Sequence, residues 1–221
     1  MRPGPYICAE WDNGGLPSWL TARVGRAIRT SSPVFLDPVK RYLDAVVSLF
    51  DDHPSVLMVQ IENEYGSFGS DSDYLAALAA ALIERGVGAP LFTSDGPSDV
   101  MLTGGAVPGH LATVNFGSGA TAAFDTLRQI RPDDAPMCME FWCGWFDHWG
   151  QGRVTRDADD AAASLHEILA HEASVNLYMA HGGTNFGTGA GANHHPEHGG
   201  EGFRPTVTSY DYDAPLDERG A

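Results

Sequence analysis

Short runs of consecutive apolar residues alternate along this chain with longer segments in which apolar residues recur at helical spacing. The runs predict six strands, at 6–9, 56–61, 91–93, 112–116, 137–141 and 175–179. The periodic segments predict four helices, at 38–50, 73–85, 121–129 and 157–173. Strands that alternate with helices favour a parallel sheet, and unbroken apolar strands favour a sheet that is covered on both faces.

Residues at the helix ends support two of these boundaries. Pro38 suits the first turn of the first helix, with Asp37 as its N-cap. Gly86 suits the C-terminal end of the second helix, because glycine adopts the left-handed conformation that ends many helices. We therefore expect the first helix to begin at Pro38 and the second to stop before Gly86.

Each predicted strand is followed by polar side chains. They are Glu10, Glu64, Ser94 with Asp95, Asn115, Glu140, and the turn at 182–185. Polar residues after many strands are typical of a (β/α)8 barrel, whereas an open doubly wound sheet has one main crevice. The distribution of polar residues over the ends of six predicted strands favours the barrel. A complete barrel has eight units in roughly 250 residues, so we expect one or two units to be missing, on the N-terminal side.

Two of the apolar runs end in carboxylates, which packing does not explain. The run at 56–61 leads into Glu62, Asn63 and Glu64, and the run at 137–141 carries Glu140 just before Trp142. Buried carboxylates are costly unless they have partners or a task. Carboxylates on two strand ends beside tryptophans indicate a glycoside-cleaving pair. The alternative interpretation is an ion-pair network.

Composition excludes several classes of function. The formal charge is −16, which argues against nucleic acid and anionic membranes as partners, because both require a basic surface. No apolar stretch reaches the roughly 20 residues of a membrane span. The three cysteines, Cys8, Cys138 and Cys143, are predicted to be buried thiols, and the alternative is a disulfide between Cys138 and Cys143. The histidine-rich run at 194–198 matches no common zinc spacing, so we predict a solvated loop and neither metal nor cofactor.

Seven blocks of sequence occur in a recognisable order. They lie at 2–11, 14–17, 60–66, 140–142, 144–150, 176–186 and 209–216, and include Arg-Pro-Gly-Pro-Tyr, Glu-Asn-Glu-Tyr and Ser-Tyr-Asp-Tyr-Asp. In this order they closely resemble the β-galactosidases of glycoside hydrolase family 35. The resemblance implies a (β/α)8 TIM barrel that removes terminal β-D-galactosyl residues, with retention, from oligosaccharides or glycoconjugates. It also implies that the chain holds strands three to eight.

The resemblance assigns roles to particular residues. Glu64 would be the acid/base and Glu140 the nucleophile. The implied sugar contacts are Cys8, Ala9, Glu10, Asn63, Trp142 and Tyr212. Glu10 would accept hydrogen bonds from two adjacent hydroxyls and Asn63 would bind the 2-hydroxyl. Trp145 suits either the sugar platform or the core. We predict that Glu62 has a structural role, as the partner of an arginine.

The sequence departs from the family pattern in three places. Asp52-His53-Pro54 stands where the family has Gly-Gly-Pro. A sugar-contacting tyrosine near the first or second loop is absent, and the loop at 187–204 is longer and richer in histidine. We expect residues 1–221 to be a partial catalytic barrel, without the first barrel units and the family's C-terminal β domains.

Two alternatives to a β-galactosidase remain open at this point. One is another exo-β-glycosidase on the same scaffold, such as an exo-β-glucosaminidase. The other is an inactive fragment, because a barrel that lacks strands exposes sheet edges. The oligomeric state and the cellular compartment are not indicated by the sequence.

Overall fold

The computed structural model describes residues 1–50, 53–185, 189–194 and 202–221. Its centre is a five-stranded parallel sheet whose strands are neighbours in chain order. The strands are β1 (Val59–Gln60), β2 (Leu91–Asp95), β3 (Leu111–Phe116), β4 (Met137–Trp142) and β5 (Ser174–Tyr178). The sheet curls into a half-barrel. The parallel sheet predicted from the alternation of strands and helices is therefore confirmed.

Six α-helices accompany the sheet in the described part of the chain. They are α1 (Ser18–Val24), α2 (Pro33–Val47), α3 (Ser72–Glu84), α4 (Asp99–Gly105), α5 (Ala120–Ile130) and α6 (Ala158–Ala170). The apolar side chains form two clusters. Phe35 and Tyr74 are fully buried in the cluster of α2, α3 and β1, and Phe124 and Ile168 are fully buried in the cluster of β3, β4, α5 and α6.

Side-chain caps fix the starts of three helices. Asp71 accepts a hydrogen bond from the backbone of Tyr74, Ser98 from that of Met101, and Asp157 from those of Asp159 and Asp160. Gly86 lies just beyond α3 with φ 90°, as predicted for its C-terminal stop. The helices α3, α5 and α6 thus follow their predicted ranges closely.

Helix α2 begins five residues earlier than predicted. Pro33 occupies its first turn, after Ser32, so Pro38 lies inside the helix and Asp37 is not its cap. Both prolines satisfy the same preference for the first turn. The prediction of a helix with proline in its first turn is confirmed, but that proline is Pro33 and not Pro38.

The first predicted strand, at 6–9, is wrong. Cys8, Ala9 and Glu10 have φ values of 59°, 56° and 47°, which lie in the left-handed region and not in the β region. The segment is a tight loop in which the Ile7 amide donates to the Gly14 carbonyl at 2.9 Å. The described sheet accordingly has five parallel strands where the sequence predicted six.

The two edges of the sheet differ. Beside β1, the Gln60 amide donates to the Met1 carbonyl at 2.8 Å, so the first residue extends the sheet. The other edge, β5, exposes Ser174, Asn176 and Leu177. A groove between these edges is lined by Phe92, Met139 and Asn176, among others.

Some sequence predictions concern features at or near the limits of the described residues. Asp52 and the run from His195 to His198 lie outside them, whereas His194 belongs to a hairpin of β6 (Ala192–His194) and β7 (Phe203–Pro205). In the described ranges no group of three His, Cys, Asp or Glu side chains could hold a metal ion. No helix within these ranges is long and apolar enough to span a membrane. Cys138 and Cys143 are buried thiols as predicted, and Cys8 is half-buried.

Candidate active site

A pocket opens at the carboxyl ends of β1 and β4. It is lined by Arg2, Cys8, Glu10, Asn63, Glu64, Glu140, Trp142, Trp145, Phe146, Tyr178, Tyr210 and Tyr212. All the predicted site residues except Ala9 are in this set. Ala9 lies between two residues that line the pocket, Cys8 and Glu10, but is not among the described lining residues itself. The structure therefore brings together predicted site residues that are up to 204 positions apart in the sequence, from Cys8 to Tyr212.

Glu64 is aimed by an unusual backbone conformation. It follows β1 with φ 45° and ψ 42°, and its amide donates to the Ser94 carbonyl at 3.0 Å. Its Oε1 accepts a hydrogen bond from Nδ2 of Asn115 at 3.0 Å. Burial, and after it the negative charge of Glu140, raises the pKa of Glu64. A raised pKa favours the protonated form of this carboxyl group over a wider range of pH than an exposed glutamate has.

Glu140 lies on β4, and 7% of its surface is exposed. Its Oε1 accepts a charge-assisted hydrogen bond from Nη1 of Arg2, and its Oε2 accepts one from Nε1 of Trp142 at 3.2 Å. Donors on both oxygens hold the carboxylate in one orientation. The two glutamates thus have different surroundings. Glu140 forms an ion pair with Arg2, whereas the side chain of Glu64 is bonded, within the described residues, by the neutral amide of Asn115.

Arg2 is a functional candidate that the sequence analysis missed. Besides Glu140, its Nη1 donates to Oδ1 of Asn63 at 2.6 Å, and Nε2 of Gln60 donates to the same oxygen at 3.0 Å. The Asn63 amide is thereby oriented with its oxygen occupied, so its Nδ2 remains to bind a ligand. The only available signal was a cation at the start of the first sequence block, and nothing local connects it to a carboxylate 138 residues away.

Glu10 closes another side of the pocket. Its Oε2 accepts a hydrogen bond from the Tyr210 hydroxyl, which lies 3.2 Å from the hydroxyl of Tyr178. The thiol of Cys8 is 4.0 Å from Oε1 of Glu10. Burial raises the pKa of Glu10 to about 7, and the charges of Glu140 and Glu64 act in the same direction. Glu10 is therefore a polar group that titrates near neutral pH.

Aromatic rings form the remaining wall. Trp142 meets Trp145 edge to face at 5.2 Å, and Tyr210 stacks on Tyr212 at 5.4 Å. Trp145 is 37% exposed and lines the pocket, so it is not purely a core residue. Such rings offer an apolar surface to the carbon-bound hydrogens of a sugar.

Two glycines allow the tyrosine segment to approach this wall. A Cβ atom on Gly144 would lie 1.8 Å from the carbonyl oxygen of Tyr212, and one on Gly182 would lie 2.0 Å from that of Tyr210. Any larger residue would push the segment away. Gly144 and Gly182 therefore allow the close backbone packing that positions Tyr210 and Tyr212.

Glu62 lies outside the pocket, in a buried network behind it. Arg29 donates to both of its oxygens, at 2.9 and 2.7 Å, and the Tyr74 hydroxyl donates at 2.8 Å. The amide of Asn63 also donates to Oε2 of Glu62, at 2.7 Å. The prediction that Glu62 is the structural partner of an arginine is confirmed. The network holds the backbone that carries Asn63 and Glu64.

Asp95, at the end of β2, holds the same loop from the other side. Its Oδ1 accepts a hydrogen bond from the Gly66 amide at 2.8 Å. Its residue is 2% exposed. Burial, followed by the charges of Glu64 and Glu62, raises the pKa of Asp95 from 3.8 to about 7.

Because of Asp95, the free energy of unfolding is expected to fall as the pH rises from 3.8 to about 7. The unfolded chain releases the Asp95 proton near 3.8 and the folded chain near 7, so in between the folded state binds more protons and loses stability with rising pH. Asp95→Asn keeps the acceptor for Gly66 and removes the titration. We expect the unfolding temperature of this variant to differ less between about pH 5 and about pH 8 than that of the wild type.

The control is Asp44→Asn, at an exposed carboxylate on α2, which should keep the wild-type pH dependence. Glu10 and Glu64 have raised pKa values too, so Asp95→Asn should reduce the dependence without removing it. An unchanged dependence in Asp95→Asn would show that this carboxyl does not titrate in the folded chain as described.

Comparison with known proteins gives a consistent result. The family model described as "Glycosyl hydrolases family 35" matches residues 1–221. A protein named "Beta-galactosidase" from Xanthomonas manihotis is 44% identical over all of this chain, which covers 38% of that protein. The human protein named "Beta-galactosidase" is 44% identical, with 33% of its length covered. "Beta-galactosidase-1-like protein 3" from Rattus norvegicus is 40% identical, with 34% covered. The chain thus spans about a third of the length of these relatives.

Solved structures agree on the fold. A Bacteroides uniformis β-glucuronidase superposes with a TM-score of 0.55 at 12% identity, over 87% of this chain and 25% of that one. The Ignisphaera aggregans GH53 catalytic domain superposes with a TM-score of 0.54 at 15% identity, over 89% and 64%. At such low identities the likeness extends to the curled parallel sheet and its helices alone.

Proposed function

This chain belongs to glycosyl hydrolases family 35, and from that premise we propose that it acts in removing terminal non-reducing β-D-galactosyl residues, with retention of configuration. The observation that carries the proposal is the pairing of Glu64 and Glu140 in one pocket, in opposite electrostatic settings. Two carboxyl groups of this kind are what a retaining glycosidase needs. The choice of galactose as the sugar is supported by the relatives named "Beta-galactosidase".

In the first step Glu140 is the nucleophile. Its carboxylate, held by Arg2 and Trp142, attacks the anomeric carbon while Glu64 donates its proton to the leaving oxygen. The raised pKa of Glu64 favours the protonated form that this step requires. The products are a galactosyl ester of Glu140 and the released alcohol.

In the second step the roles of the two groups change. Once Glu140 is esterified its charge is gone, and that charge is one of the causes of the raised pKa of Glu64. The pKa of Glu64 therefore falls, and its carboxylate accepts a proton from the water that attacks the ester. One carboxyl group thus serves as acid and then as base, with no cofactor in either step.

The other predicted residues would hold the galactose ring. Nδ2 of Asn63 suits the 2-hydroxyl, where a hydrogen bond strengthens in the transition state. Glu10 suits a pair of neighbouring hydroxyls. The backbone of Cys8 and Ala9 would border them, with Trp142 and Tyr212 as apolar surfaces. The substrate is accordingly a galactoside at the end of an oligosaccharide or glycoconjugate.

We further propose that β1 and β4 correspond to the fourth and seventh strands of an eight-stranded barrel. Support comes from the family resemblance, which places the acid/base and the nucleophile after those strands, and from Met1, which extends the sheet beside β1. Residues 1–221 would then form part of a catalytic barrel, with the first units and the C-terminal β domains of the family outside it.

A panel of nitrophenyl glycosides tests the function. We expect β-galactoside to be hydrolysed with a kcat/KM at least about tenfold above that for β-glucoside and β-glucosaminide. Both sugars present the 4-hydroxyl in the opposite configuration, and glucosamine also lacks the 2-hydroxyl, so groups that bind these hydroxyls lose their partners. Nuclear magnetic resonance during the reaction should detect β-galactose before its α anomer, as retention requires.

Three results would contradict the proposal. Preference for glucosaminide would assign the chain to another exo-β-glycosidase. Early appearance of α-galactose would exclude retention. Absence of hydrolysis, together with no rise in unfolding temperature on adding galactose, would identify an inactive fragment without a formed sugar site.

A further inference from the structure

Asn115 connects the two glutamates of the pocket. It is fully buried on β3, between the strands that lead to them. Its Nδ2 donates to Oε1 of Glu64 at 3.0 Å. Its Oδ1 accepts hydrogen bonds from the backbone amide of Glu140 at 3.1 Å and from the Ser94 hydroxyl at 2.6 Å. One carboxamide therefore touches the side chain of one glutamate and the backbone of the other.

The orientation of this carboxamide is determined by its surroundings. The backbone amide of Glu140 can only donate, so the atom that faces it must be the oxygen of Asn115. A flipped amide would place its NH2 group against that donor and leave both unpaired in a buried site, which is costly. Hence Nδ2, and not Oδ1, faces Glu64.

The sheet supplies the reason why the Glu140 amide is available. The register of β3 and β4 shifts between Val114 and Asn115. Such an irregularity interrupts the ladder and frees a backbone group, and here the Asn115 side chain takes it. The local defect in the sheet and the position of the buried asparagine are therefore parts of one arrangement.

From this geometry we infer that Asn115 is a positioning residue that keeps the catalytic proton of Glu64 on Oε2. Nδ2 has hydrogens and no free lone pair, so Oε1 of Glu64 is its acceptor. The carbonyl oxygen of a protonated carboxyl group is the stronger acceptor, which favours Oε1 as the carbonyl oxygen and Oε2 as the atom that carries the proton. The inference rests on the proposed function, because it assumes that Glu64 is the acid. It adds that the proton is delivered by one defined oxygen.

The same hydrogen bond serves the second step. A donor on Oε1 stabilises the ionised carboxylate, and Asn115 is among the causes that lower the pKa of Glu64. It also leaves Oε2 as the atom that accepts the proton from water. Without Asn115 the proton could occupy either oxygen, and the carboxyl group could turn.

The test is Asn115→Leu, with Thr113→Val as the matched control. Thr113 lies two residues earlier on the same strand, is equally buried, and its hydroxyl bonds the Thr93 carbonyl instead of Glu64. The readout is kcat/KM for methyl β-galactoside, whose leaving group needs a proton, and for 2,4-dinitrophenyl β-galactoside, whose leaving group does not.

We expect Asn115→Leu to lower kcat/KM by about 100-fold for the methyl galactoside and by less than about fivefold for the dinitrophenyl galactoside, as loss of general-acid catalysis predicts. The basic limb of the pH profile should move to higher pH. Thr113→Val should change kcat/KM by the same factor for both substrates and leave the basic limb of the pH profile where it is in the wild type. Equal losses for the two substrates in Asn115→Leu, with an unshifted limb, would reduce Asn115 to a purely structural residue.

Two additions keep the outcome decisive. If Asn115→Leu does not fold, Asn115→Ala leaves room for a water and should show the same substrate discrimination. If the wild type hydrolyses no galactoside, the proposed function fails, but the inference can still be judged by carbon-13 titration of Glu64, assigned with Glu64→Gln. An apparent pKa of Glu64 that does not rise on loss of Asn115 would refute the inference independently of turnover.

Discussion

In the Glu140→Gln variant, hydrolysis of β-galactosides is expected to fall by about 10⁴-fold or more, because a carboxamide cannot form the glycosyl ester. The change is close to isosteric. The carbonyl oxygen of glutamine can still accept a hydrogen bond from Arg2 or Trp142, so the fold and the pocket should persist. The measurements are kcat with nitrophenyl galactoside and the unfolding temperature with and without galactose.

Glu64→Gln provides the matched comparison for this result. Its kcat/KM should fall by about 10²–10⁴-fold for methyl β-galactoside. The rate at which it forms the galactosyl ester from a dinitrophenyl galactoside should fall far less. Glu140→Gln should fail with both substrates. A 2-deoxy-2-fluorogalactoside should label the wild type on the peptide that contains Glu140. Near-normal turnover of Glu140→Gln would eliminate Glu140 as the nucleophile.

The strand-end carboxylates were accessible from sequence because they violate a local expectation. An apolar run that ends in Glu-Asn-Glu has no packing explanation, so Glu64 and Glu140 stood out without any knowledge of the fold. Asn115 was noted only as one of several polar residues at strand ends, and Arg2 only as part of a sequence block, so neither received a role. An arginine near a chain start and an asparagine at a strand end are ordinary locally, and their roles depend on contacts 138 and 51 residues away.

The errors in secondary structure also have local causes. Tyr6 to Ala9 reads as a strand by composition, but the backbone turns left-handed at Cys8 to present the pocket residues. Helices α1 and α4 were not predicted, because each has only seven residues and α4 ends in two glycines, which are poor helix formers. Hydrophobic periodicity needs more turns than these helices provide.

The second large effect concerns stability. Glu62→Leu is expected to lower the free energy of unfolding by about 3–5 kcal/mol, because it leaves the Arg29 guanidinium buried without its counter-charge. Both side chains are nearly inaccessible, at 5% exposure for Arg29 and 0% for Glu62. The cation cannot swing into solvent, since it is packed 4.0 Å from the ring centre of Tyr6 and 4.4 Å from that of Phe68. Urea unfolding monitored by tryptophan fluorescence measures the change.

A double-mutant cycle separates the charge effect from the change in shape. Arg29→Met combined with Glu62→Leu removes both charges, and replacing a whole buried pair by apolar residues is often close to neutral. The double variant should therefore be more stable than Glu62→Leu alone. Asp125→Asn is the control for an exposed pair with Arg128, and should cost no more than about 1 kcal/mol. A loss in Glu62→Leu as small as in this control would show that the buried pair is not what holds the loop.

The double variant also connects stability with catalysis. It lacks the hydrogen bond from the Asn63 amide to Oε2 of Glu62, so the backbone that carries Asn63 and Glu64 should be less well fixed even when the fold is restored. We expect its unfolding free energy to recover while kcat/KM for β-galactoside stays at least about tenfold below the wild type, since misplacing a catalytic group by about 1 Å can cost 10²-fold. Recovery of both quantities together would mean that the Glu62 network stabilises the chain without positioning the acid.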